Sequence, residues 1–355
     1  MTAGTVKIPA TVEEVTPEWL MKVVPGTTQA RIVSVIHGTA TKIQAEIVKD
    51  GQTRRVWAKS GMEPHSKQDG LEVVYAGEVH YYRNYSSQYQ TLTPECLYAA
   101  SDDEGRSIIV LADVCEQGGK FVELLEPASP EFAARGLEHI ARYQAASWMD
   151  GELAKDPWLK SGGSHNAYNL PKWLFTQERW DAYSSLPRFR FLPERLRDRE
   201  ALQRAHHTLI YDFFRQEPWA LCHGDAHFGQ AYEMPDGTVR LLDWQAIQIA
   251  HWSHDMAYFL IGALSVADRR AHEKDLLRHY LTYLGERGAT GLPDWDTAWT
   301  QYRMSALHGL GWTFCPTEMQ PEENCSAMAE RYCTAVADLD SLAAVQAYAG
   351  AGAAV

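Results

Sequence analysis

The first part of the chain alternates between hydrophobic and polar positions in short runs. These runs cover residues 31–36, 42–48 and 54–58, joined by Gly38-Thr39 and by Asp50-Gly51. A period of two is typical of half-buried strands, and Asp-Gly between two such runs indicates a hairpin. This region therefore predicts an antiparallel sheet.

One helix and one further strand are predicted to complete the sheet region. Residues 71–85 place apolar side chains at the spacing of one helical face, and residues 107–111 form an apolar run of strand length. Gly118-Gly119 then interrupts the pattern. We predict a first lobe over residues 1–115 and a second over residues 116–355, with a hinge near residues 111–117.

The second lobe is predicted to be mainly helical. Helical periodicity covers residues 130–149 and 199–215, and the latter leads into a short apolar run at residues 219–222. Pro235-Asp236-Gly237 predicts a turn between residues 230–232 and 239–242. The fold class that follows is α+β, with a small antiparallel sheet lobe and a larger helical lobe.

Composition narrows the class of protein further. The 355 residues are 45% hydrophobic and 22% charged, as in globular proteins with a sizeable core. A net charge of −13 at pH 7 argues against nucleic-acid binding, because phosphate backbones require clustered Lys and Arg. The six cysteines form no C-x-x-C pair and no apolar run could span a membrane, so we expect a reduced, cytoplasmic protein. Nothing in the sequence indicates a membrane partner or an obligate protein partner.

The densest group of reactive side chains flanks the predicted hairpin. His223-Gly224-Asp225-Ala226-His227 precedes the hairpin, and Asp243-Trp244 follows it. Phosphoryl transfer needs a carboxylate to orient the acceptor hydroxyl and oxygen ligands to hold Mg²⁺ against the phosphates. Because a hairpin brings its two ends together, Asp225 suits the first task and Asp243 the second.

Residues of the first lobe would complete such a site. Lys59 ends a predicted strand and Glu78 lies on the predicted helix, so an ion pair between them would aim the ammonium at nucleotide phosphates. Gly38 and Thr39 lie at the first hairpin, where a loop covering the phosphates would be placed. One glycine does not by itself make a phosphate cradle.

Together these motifs resemble the aminoglycoside phosphotransferase and choline kinase superfamily. The resemblance rests on His223-Gly224-Asp225 followed by Asp243-Trp244-Gln245. Residues 78–83, 243–245 and 254–260 are closer to its ecdysteroid kinase-like branch. The resemblance implies a bilobal protein-kinase-like fold and a small-molecule kinase that uses ATP, or GTP, with Mg²⁺.

The same resemblance implies roles for the residues of the second lobe. Asp225 would be the catalytic base, His223 and Asp255 would brace its loop, and Asp243 would bind Mg²⁺. The sequence departs from the family at Gln230, where a metal-binding Asn is usual. Because Gln carries the same amide oxygen on a side chain one methylene longer, we expect Gln230 still to reach Mg²⁺ or a bridging water.

In the first lobe, the resemblance implies a nucleotide site. Lys59 would contact the ATP phosphates, and Glu78 would hold Lys59. The backbone around Ala112, Asp113 and Val114 would form the adenine-binding hinge.

Two alternatives remain open at the level of sequence. A metal-dependent hydrolase could be built on His223-x-Asp225-x-His227, although zinc sites need three or four ligands and no further pair of His or Cys supplies them. A degenerate kinase fold could bind a nucleotide without turnover, as Gln230 and the poor glycine loop suggest.

The expected partner is a small hydroxylated acceptor. Twelve tryptophans, most of them in the second lobe, favour an apolar alcohol, since aromatic walls suit apolar rings. A polycationic aminoglycoside would require a dense acidic patch, whereas Glu318, Glu322 and Glu323 are dispersed.

Overall fold

The structure is a computed structural model that describes residues 6–64, 66, 72–161, 170–317 and 320–352. Its strands are β1 Thr27–Ile36, β2 Thr41–Lys49, β3 Gln52–Ser60, β4 Cys96–Ser101, β5 Ser107–Ala112, β6 Lys120–Phe121, β7 Trp219–Cys222, β8 Ala231–Glu233, β9 Val239–Leu241 and β10 Gln248–His251. Its helices are α1 Pro17–Val23, α2 Glu72–Asn84, α3 Pro130–Ala146, α4 Pro157–Ser161, α5 Leu170–Leu174, α6 Gln177–Ser184, α7 Arg199–His207, α8 Ser253–Ala263, α9 Val266–Glu286, α10 Trp295–Trp312, α11 Glu322–Asp338 and α12 Ser341–Gly352.

The amino-terminal lobe contains the predicted antiparallel sheet. Its strand order is β1-β2-β3-β5-β4, and all neighbours are antiparallel. Lys59 pairs with Lys42 on β2 and with Ile109 on β5, so it lies on the central strand of the sheet. The sequence patterns did not predict β4, whose side chains are half-buried without alternation.

The two faces of this sheet belong to different hydrophobic cores. On one face, Ile108 and Val110 pack with α1, whose first turn is capped by the Thr16 side chain. On the other face, Ile109 and Leu111 join the large core of the helical lobe. Because successive side chains of a strand point to opposite faces, β5 links the two lobes through alternate residues.

The helical lobe follows the predicted order with different element bounds. Helix α3 begins after the Ser129 cap and ends at Ala146, short of the predicted residue 149. Ser147, the residue after the helix, already has non-helical φ and ψ of −114° and 9°, and Met149 follows with φ of +52°. Helix α2 is described from Glu72, since residue 71 lies outside the described residues.

A short hairpin lies within the helical lobe, as predicted. Strands β8 and β9 pair through Ala231 and Leu241, and the backbone N–H of Leu242 donates to the carbonyl of Gln230 at 3.0 Å. This pairing brings the residues before β8 and after β9 to the same end of the hairpin. Strand β10, which pairs with β7, was not predicted.

The architecture is the predicted bilobal α+β fold, with a five-stranded antiparallel sheet beside a mainly helical lobe. Strand β5 ends at Ala112, and a short 3-10 helix at Val114–Gln117 follows. The lobe boundary at residues 115 and 116 stays a prediction. Among the described residues, no helix is both long enough and apolar enough to cross a membrane.

Candidate active site

The centre of the candidate site is a lysine shared by two carboxylates. Lys59 Nζ lies 2.8 Å from Glu78 Oε2 and 2.5 Å from Asp243 Oδ1. Glu78 lies on α2, whereas Asp243 follows β9 in the helical lobe. The ion pair predicted between Lys59 and Glu78 is therefore present, and the third partner comes from the opposite lobe.

Asp243 and Glu78 differ in how strongly they pair with the Lys59 ammonium. Burial alone would raise the pKa of Asp243, but the charge of Lys59 holds it below its ordinary value. For Glu78 burial dominates, and its pKa is raised despite the nearby ammonium. Burial would lower the pKa of Lys59, but the charges of Asp243 and Glu78 raise it, so Lys59 is positively charged. Asp243 is thus the stronger counter-ion of Lys59.

Asp225 is half-buried and close to this cluster. Burial raises the pKa of Asp225 well above its ordinary value, and the charge of Asp243 raises it further. The nearby Gln230 side chain acts in the opposite direction and lowers this pKa. Its amide carries an oxygen that can serve as an acceptor or as a ligand of a hard cation.

His223 fixes the loop that carries Asp225. His223 Nε2 lies 2.8 Å from the carbonyl oxygen of Leu242, and His223 Nδ1 accepts a hydrogen bond from the backbone N–H of Asp225 at 3.2 Å. A carbonyl only accepts and a backbone N–H only donates, so the ring carries its proton on Nε2. Burial lowers the pKa of His223, in agreement with a neutral ring.

Asp255, on α8, holds the same loop from behind. Its carboxylate accepts hydrogen bonds from the backbone N–H groups of His223 and Gly224 at 2.6 and 3.1 Å, from the Tyr143 hydroxyl at 2.6 Å and from His254 Nδ1 at 3.0 Å. Burial would raise the pKa of Asp255, but these hydrogen bonds and the neighbouring His254 keep it below its ordinary value. The buried carboxylate is therefore ionised, and its hydrogen bonds brace the loop of Asp225.

Gly224 is required where the loop passes beneath the segment after Asp243. Its φ is +82°, and a Cβ atom added there would lie 2.0 Å from the carbonyl oxygen of Ala246. Both the backbone conformation and the close approach exclude a side chain.

The helix of Glu78 is packed directly against the segment of Asp243. The Trp244 ring stacks on Tyr81 of α2, with centroids 4.4 Å apart and planes at 6°. A Cβ added at Gly77 would lie 2.6 Å from the carbonyl oxygen of Gln245. Asp243 itself has φ of +67°, in the left-handed region that Asp tolerates better than most residues. These contacts fix Glu78 and Asp243 relative to each other across the lobes.

The predicted phosphate loop is the connection between β1 and β2. A Cβ added at Gly38 would meet only the Ala40 carbonyl oxygen, at 3.8 Å, among the described residues. The Thr39 carbonyl accepts a hydrogen bond from the Tyr75 hydroxyl of α2. The loop is therefore tied to the same helix as Glu78.

The predicted hinge segment follows β5. The backbone N–H of Ala112 donates to the Glu95 carbonyl at 2.9 Å, and the N–H of Asp113 donates to the Arg55 carbonyl at 3.0 Å. The Val114 carbonyl accepts from the N–H of Gly119 at 2.9 Å. Adenine recognition would have to rest on the remaining backbone groups of this segment.

His227 is occupied by its own loop. Its Nδ1 accepts a hydrogen bond from the backbone N–H of Gly229 at 3.1 Å, and burial lowers its pKa to about 4. Within the described parts of the chain, no three His, Cys, Asp or Glu side chains cluster as ligands of one metal ion. The His-x-Asp-x-His pattern thus serves local hydrogen bonding in this structure.

Sequence patterns missed the aromatic and small residues that support the site. Tyr75, Gly77 and Tyr81 share α2 with Glu78, and Tyr143 reaches Asp255 from α3. The helical spacing of Leu71, Val74, Tyr75, Val79 and Tyr82 predicted one apolar face, and Tyr81 was not part of it. This spacing could not show that Tyr81 meets Trp244, because that contact joins residues far apart in sequence.

A bilobal fold with a lysine and carboxylates at the junction of its lobes is that of the kinase-like phosphotransferases. The sequence model of the Ecdysteroid kinase-like family matches residues 31–289, and the chain belongs to this family. This confirms the resemblance seen in the motifs. No curated protein matches the chain.

Solved structures share the fold at low sequence identity. LicA in complex with AMP is 16% identical, with 92% of this chain and 97% of that chain covered and a TM-score of 0.52. Choline kinase LicA from Streptococcus pneumoniae is 14% identical, with coverage of 93% and 99% and a TM-score of 0.49. The GDP and kanamycin complex of APH(2")-IIia is 13% identical, with coverage of 90% and 97% and a TM-score of 0.49.

Proposed function

We propose that the protein transfers the γ-phosphoryl group of ATP, or of GTP, to a hydroxyl group of a small molecule in a Mg²⁺-dependent reaction. The observation that carries this proposal is the Lys59 ammonium held between Glu78 and Asp243, with Asp225 beside them. Membership of the Ecdysteroid kinase-like family supports the same reaction class. Positioning and charge neutralisation would supply most of the rate acceleration.

Lys59 would bind the nucleotide phosphates. Its ammonium has two carboxylate partners, and Glu78 can retain it while the contact with Asp243 is exchanged for phosphate oxygens. Gly38 and Thr39 would cover the phosphates from the β1–β2 loop. Ala112 and Val114 would contact the adenine ring through backbone groups that the hinge does not itself use.

The residues around Lys59 fit a magnesium ion. Asp243 and Gln230 offer a carboxylate and an amide oxygen, and Mg²⁺ is usually held by one or two such side chains together with phosphates and water. The ion would neutralise the negative charge of the transferred phosphoryl group. Asp243, which is ionised, would be its main protein ligand.

Asp225 would accept the proton of the acceptor hydroxyl. Its raised pKa gives the carboxylate a higher proton affinity than an exposed Asp has, which favours proton acceptance near neutral pH. The Gln230 amide would orient the carboxylate, while His223 and Asp255 keep the loop in place without touching the substrate.

The proposed acceptor is an apolar or polycyclic alcohol rather than an aminoglycoside. Trp158, Trp173 and Trp180 are partly buried against the core of the helical lobe, each in contact with another side chain, and they would line the acceptor pocket. Glu322 is already paired with Arg188 at 3.2 Å, and Glu318 lies outside the described residues. This leaves little support for a dense acidic patch.

The experiment that tests the reaction is calorimetry followed by an acceptor screen. ATP should bind, and Mg²⁺ should strengthen its binding. ATP consumption would then be measured with hydroxylated steroids, terpenoids, choline-like alcohols and kanamycin. Phosphorylation of kanamycin with no response to apolar alcohols would reverse the acceptor preference, and zinc-dependent hydrolysis without ATP binding would replace the kinase by the hydrolase alternative.

Gln230 distinguishes an active kinase from a nucleotide-binding protein without turnover. Gln230→Ala should raise the Mg²⁺ concentration for half-maximal rate, because the ion loses an oxygen ligand. Gln230→Asn should stay within about tenfold of the wild-type rate, roughly 1.4 kcal/mol in the transition state. If the wild type were inert and Gln230→Asn active, the natural protein would be a nucleotide-binding pseudoenzyme.

A further inference from the structure

A cavity of about 200 Å³ with several charged side chains in its wall lies in the helical lobe and is lined by none of the candidate active-site residues. One wall is a single face of α3, formed by Arg135, Glu138, His139 and Arg142. These positions are three, four and seven residues apart, which places them in one stripe of a helix. The opposite wall is the turn between β8 and β9.

His139 is the most unusual side chain of this wall. It is 3% exposed, and neither ring nitrogen has a hydrogen-bond partner among the described residues. Buried polar groups are nearly always paired, since an unpaired group loses its hydration without compensation. The ring therefore lacks the polar partner that its burial requires.

The two arginines beside His139 are also incompletely paired. Arg142 has only the Tyr283 hydroxyl, 3.4 Å from a terminal nitrogen, and no carboxylate within ion-pair distance in the described part of the chain. Arg135 pairs with Glu233 at 2.5 Å through one terminal nitrogen. The Nε atoms of both arginines are buried without a partner among the described residues. Each guanidinium thus keeps unused donors.

The carboxylates of the cavity wall are already used. Glu138 Oε1 lies 3.0 Å from His279 Nε2. Asp236 accepts from the backbone N–H and hydroxyl of Thr238, and it lies 3.4 Å from an Arg240 nitrogen. Both carboxylates of the wall therefore have partners of their own, whereas the His139 ring and the Nε atoms of Arg135 and Arg142 have none among the described residues, so the wall offers donors to an anion.

We propose that this cavity binds a small dianion of the phosphate class through Arg135, His139 and Arg142. Guanidinium groups form paired hydrogen bonds with phosphate oxygens, and a tetrahedral dianion can accept from several donors at once. Ligand pockets of drug-like size are about 300–1,000 Å³, so this smaller cavity suits a phosphate group rather than a whole nucleotide.

The cavity is connected to the catalytic loop by one side chain. The Tyr143 ring packs edge-on against His139 at 5.5 Å and against Trp244 at 5.2 Å. Its hydroxyl donates to Asp255 at 2.6 Å. A bound anion would therefore be connected to the loop of Asp225 through His139, Tyr143 and Asp255.

The test is calorimetric titration of the full chain with orthophosphate in a buffer free of phosphate and sulfate. Arg142→Gln should weaken binding by about tenfold or more, since a charge-assisted pair is lost. Arg204→Gln removes the same charge from a side chain that is 70% exposed on α7 and should leave binding unchanged. Circular dichroism would check the fold of each variant. Arg135→Gln, on a side chain that is 37% exposed, is the second variant if Arg142→Gln does not fold.

Three further results would overturn the proposal. The first is an absence of orthophosphate binding at millimolar concentration. The second is binding that Lys59→Gln abolishes and Arg142→Gln retains, which would locate the ion at Lys59 instead. The third is tighter binding of malonate with the same dependence on Arg142, which would define a dicarboxylate site. A shift of the His139 ring proton signals during the orthophosphate titration would support the proposed location independently.

Discussion

The two sides of the candidate active site are held by different kinds of interaction. On the helical side, Asp255 binds the backbone N–H groups of His223 and Gly224, and the His223 ring joins two further backbone groups. On the sheet side, the Lys59 backbone is paired within the central strand, but its ammonium is positioned by ionic contacts with Glu78 and Asp243. The loop of Asp225 is thus fixed by hydrogen bonds to its backbone, whereas the Lys59 ammonium is held by exchangeable charges.

This difference indicates which part of the site changes when substrates bind. Hydrogen bonds to the backbone keep the catalytic loop in one geometry whether or not a ligand is present, which is the property of a preorganised site. An ammonium between two carboxylates can exchange one of them for a phosphate with little change in free energy, because one anionic partner replaces another. We therefore expect the helical side to stay rigid and the Lys59 side to rearrange on nucleotide binding.

The largest effect on activity is expected at Asp225. Asp225→Asn keeps the size of the side chain but removes the proposed base, so kcat should fall by about 10³-fold or more. Nucleotide affinity should change little, because other groups hold the phosphates. Steady-state kinetics and calorimetry would check this, with Asp103→Asn in an exposed loop as the control. Near-normal turnover would remove Asp225 from the mechanism.

The rigidity of the helical side can be broken at Gly224. Gly224→Ala should destabilise the protein by more than about 3 kcal/mol, because the new Cβ collides with the Ala246 carbonyl. Gly237→Ala is a matched control, since Gly237 has a similar φ of +80° but no described residue within 4 Å of an added Cβ. It should cost only about 1 kcal/mol, from the left-handed backbone alone. If chemical denaturation gave the same loss in free energy of unfolding for both variants, the close approach at Gly224 would not contribute to stability.

Acid should weaken the helical lobe through its buried histidines. Burial lowers the pKa of His206 from 6.5 to about 4. The unfolded chain therefore binds a proton at His206 more readily than the folded protein does. The contribution of neutral His206 to folding stability is fully present above pH 6.5 and is lost as the pH falls towards 4. The effect of His206 is worth about 3 kcal/mol.

The measurement is Tm between pH 7.5 and pH 4.5. His206→Asn should flatten the decline relative to the wild type, whatever its stability at neutral pH. An equal slope in both proteins would exclude His206 as a source of acid sensitivity.

The smallest effect is expected on the exchangeable side. Glu78→Gln should weaken ATP binding by about tenfold, roughly 1.4 kcal/mol, because Lys59 loses the partner that holds it during exchange. Stability should change little, since burial already disfavours the Glu78 charge. Glu95→Gln removes an exposed partner of Arg54 and should alter neither property. A greater loss of stability than of ATP affinity would assign Glu78 a structural role.

Local sequence signals predicted much of this structure, because they depend on neighbouring residues. The period-two runs and Asp50-Gly51 predicted the sheet, and Pro235-Asp236-Gly237 predicted the hairpin that brings Asp225 near Asp243. The predicted helix over residues 130–149 ends early because the backbone leaves helical geometry at Ser147, which no periodicity reveals. Strand β4 lacks alternation because both of its faces are half-buried.

The remaining features depend on contacts between residues distant in the sequence. The approach of Asp243 to Lys59, the stacking of Trp244 on Tyr81 and the unpaired ring of His139 all arise only when the lobes and helices have packed. Candidate reactive residues could thus be found from motifs, whereas their partners could not. The family resemblance supplied roles that still require experiments.

The alternate packing of β5 has a consequence for how the chain is made on the ribosome. Ile109 and Leu111 pack in the core of the helical lobe, and Tyr81 stacks on Trp244, which is synthesised later. At a synthesis rate of about 5–20 residues per second, the ribosome adds Trp244 on the order of ten seconds or more after Tyr81. During that time one face of the newly made sheet has no partner. We expect chaperones to bind the nascent chain in this interval and to release it once the helices have been synthesised.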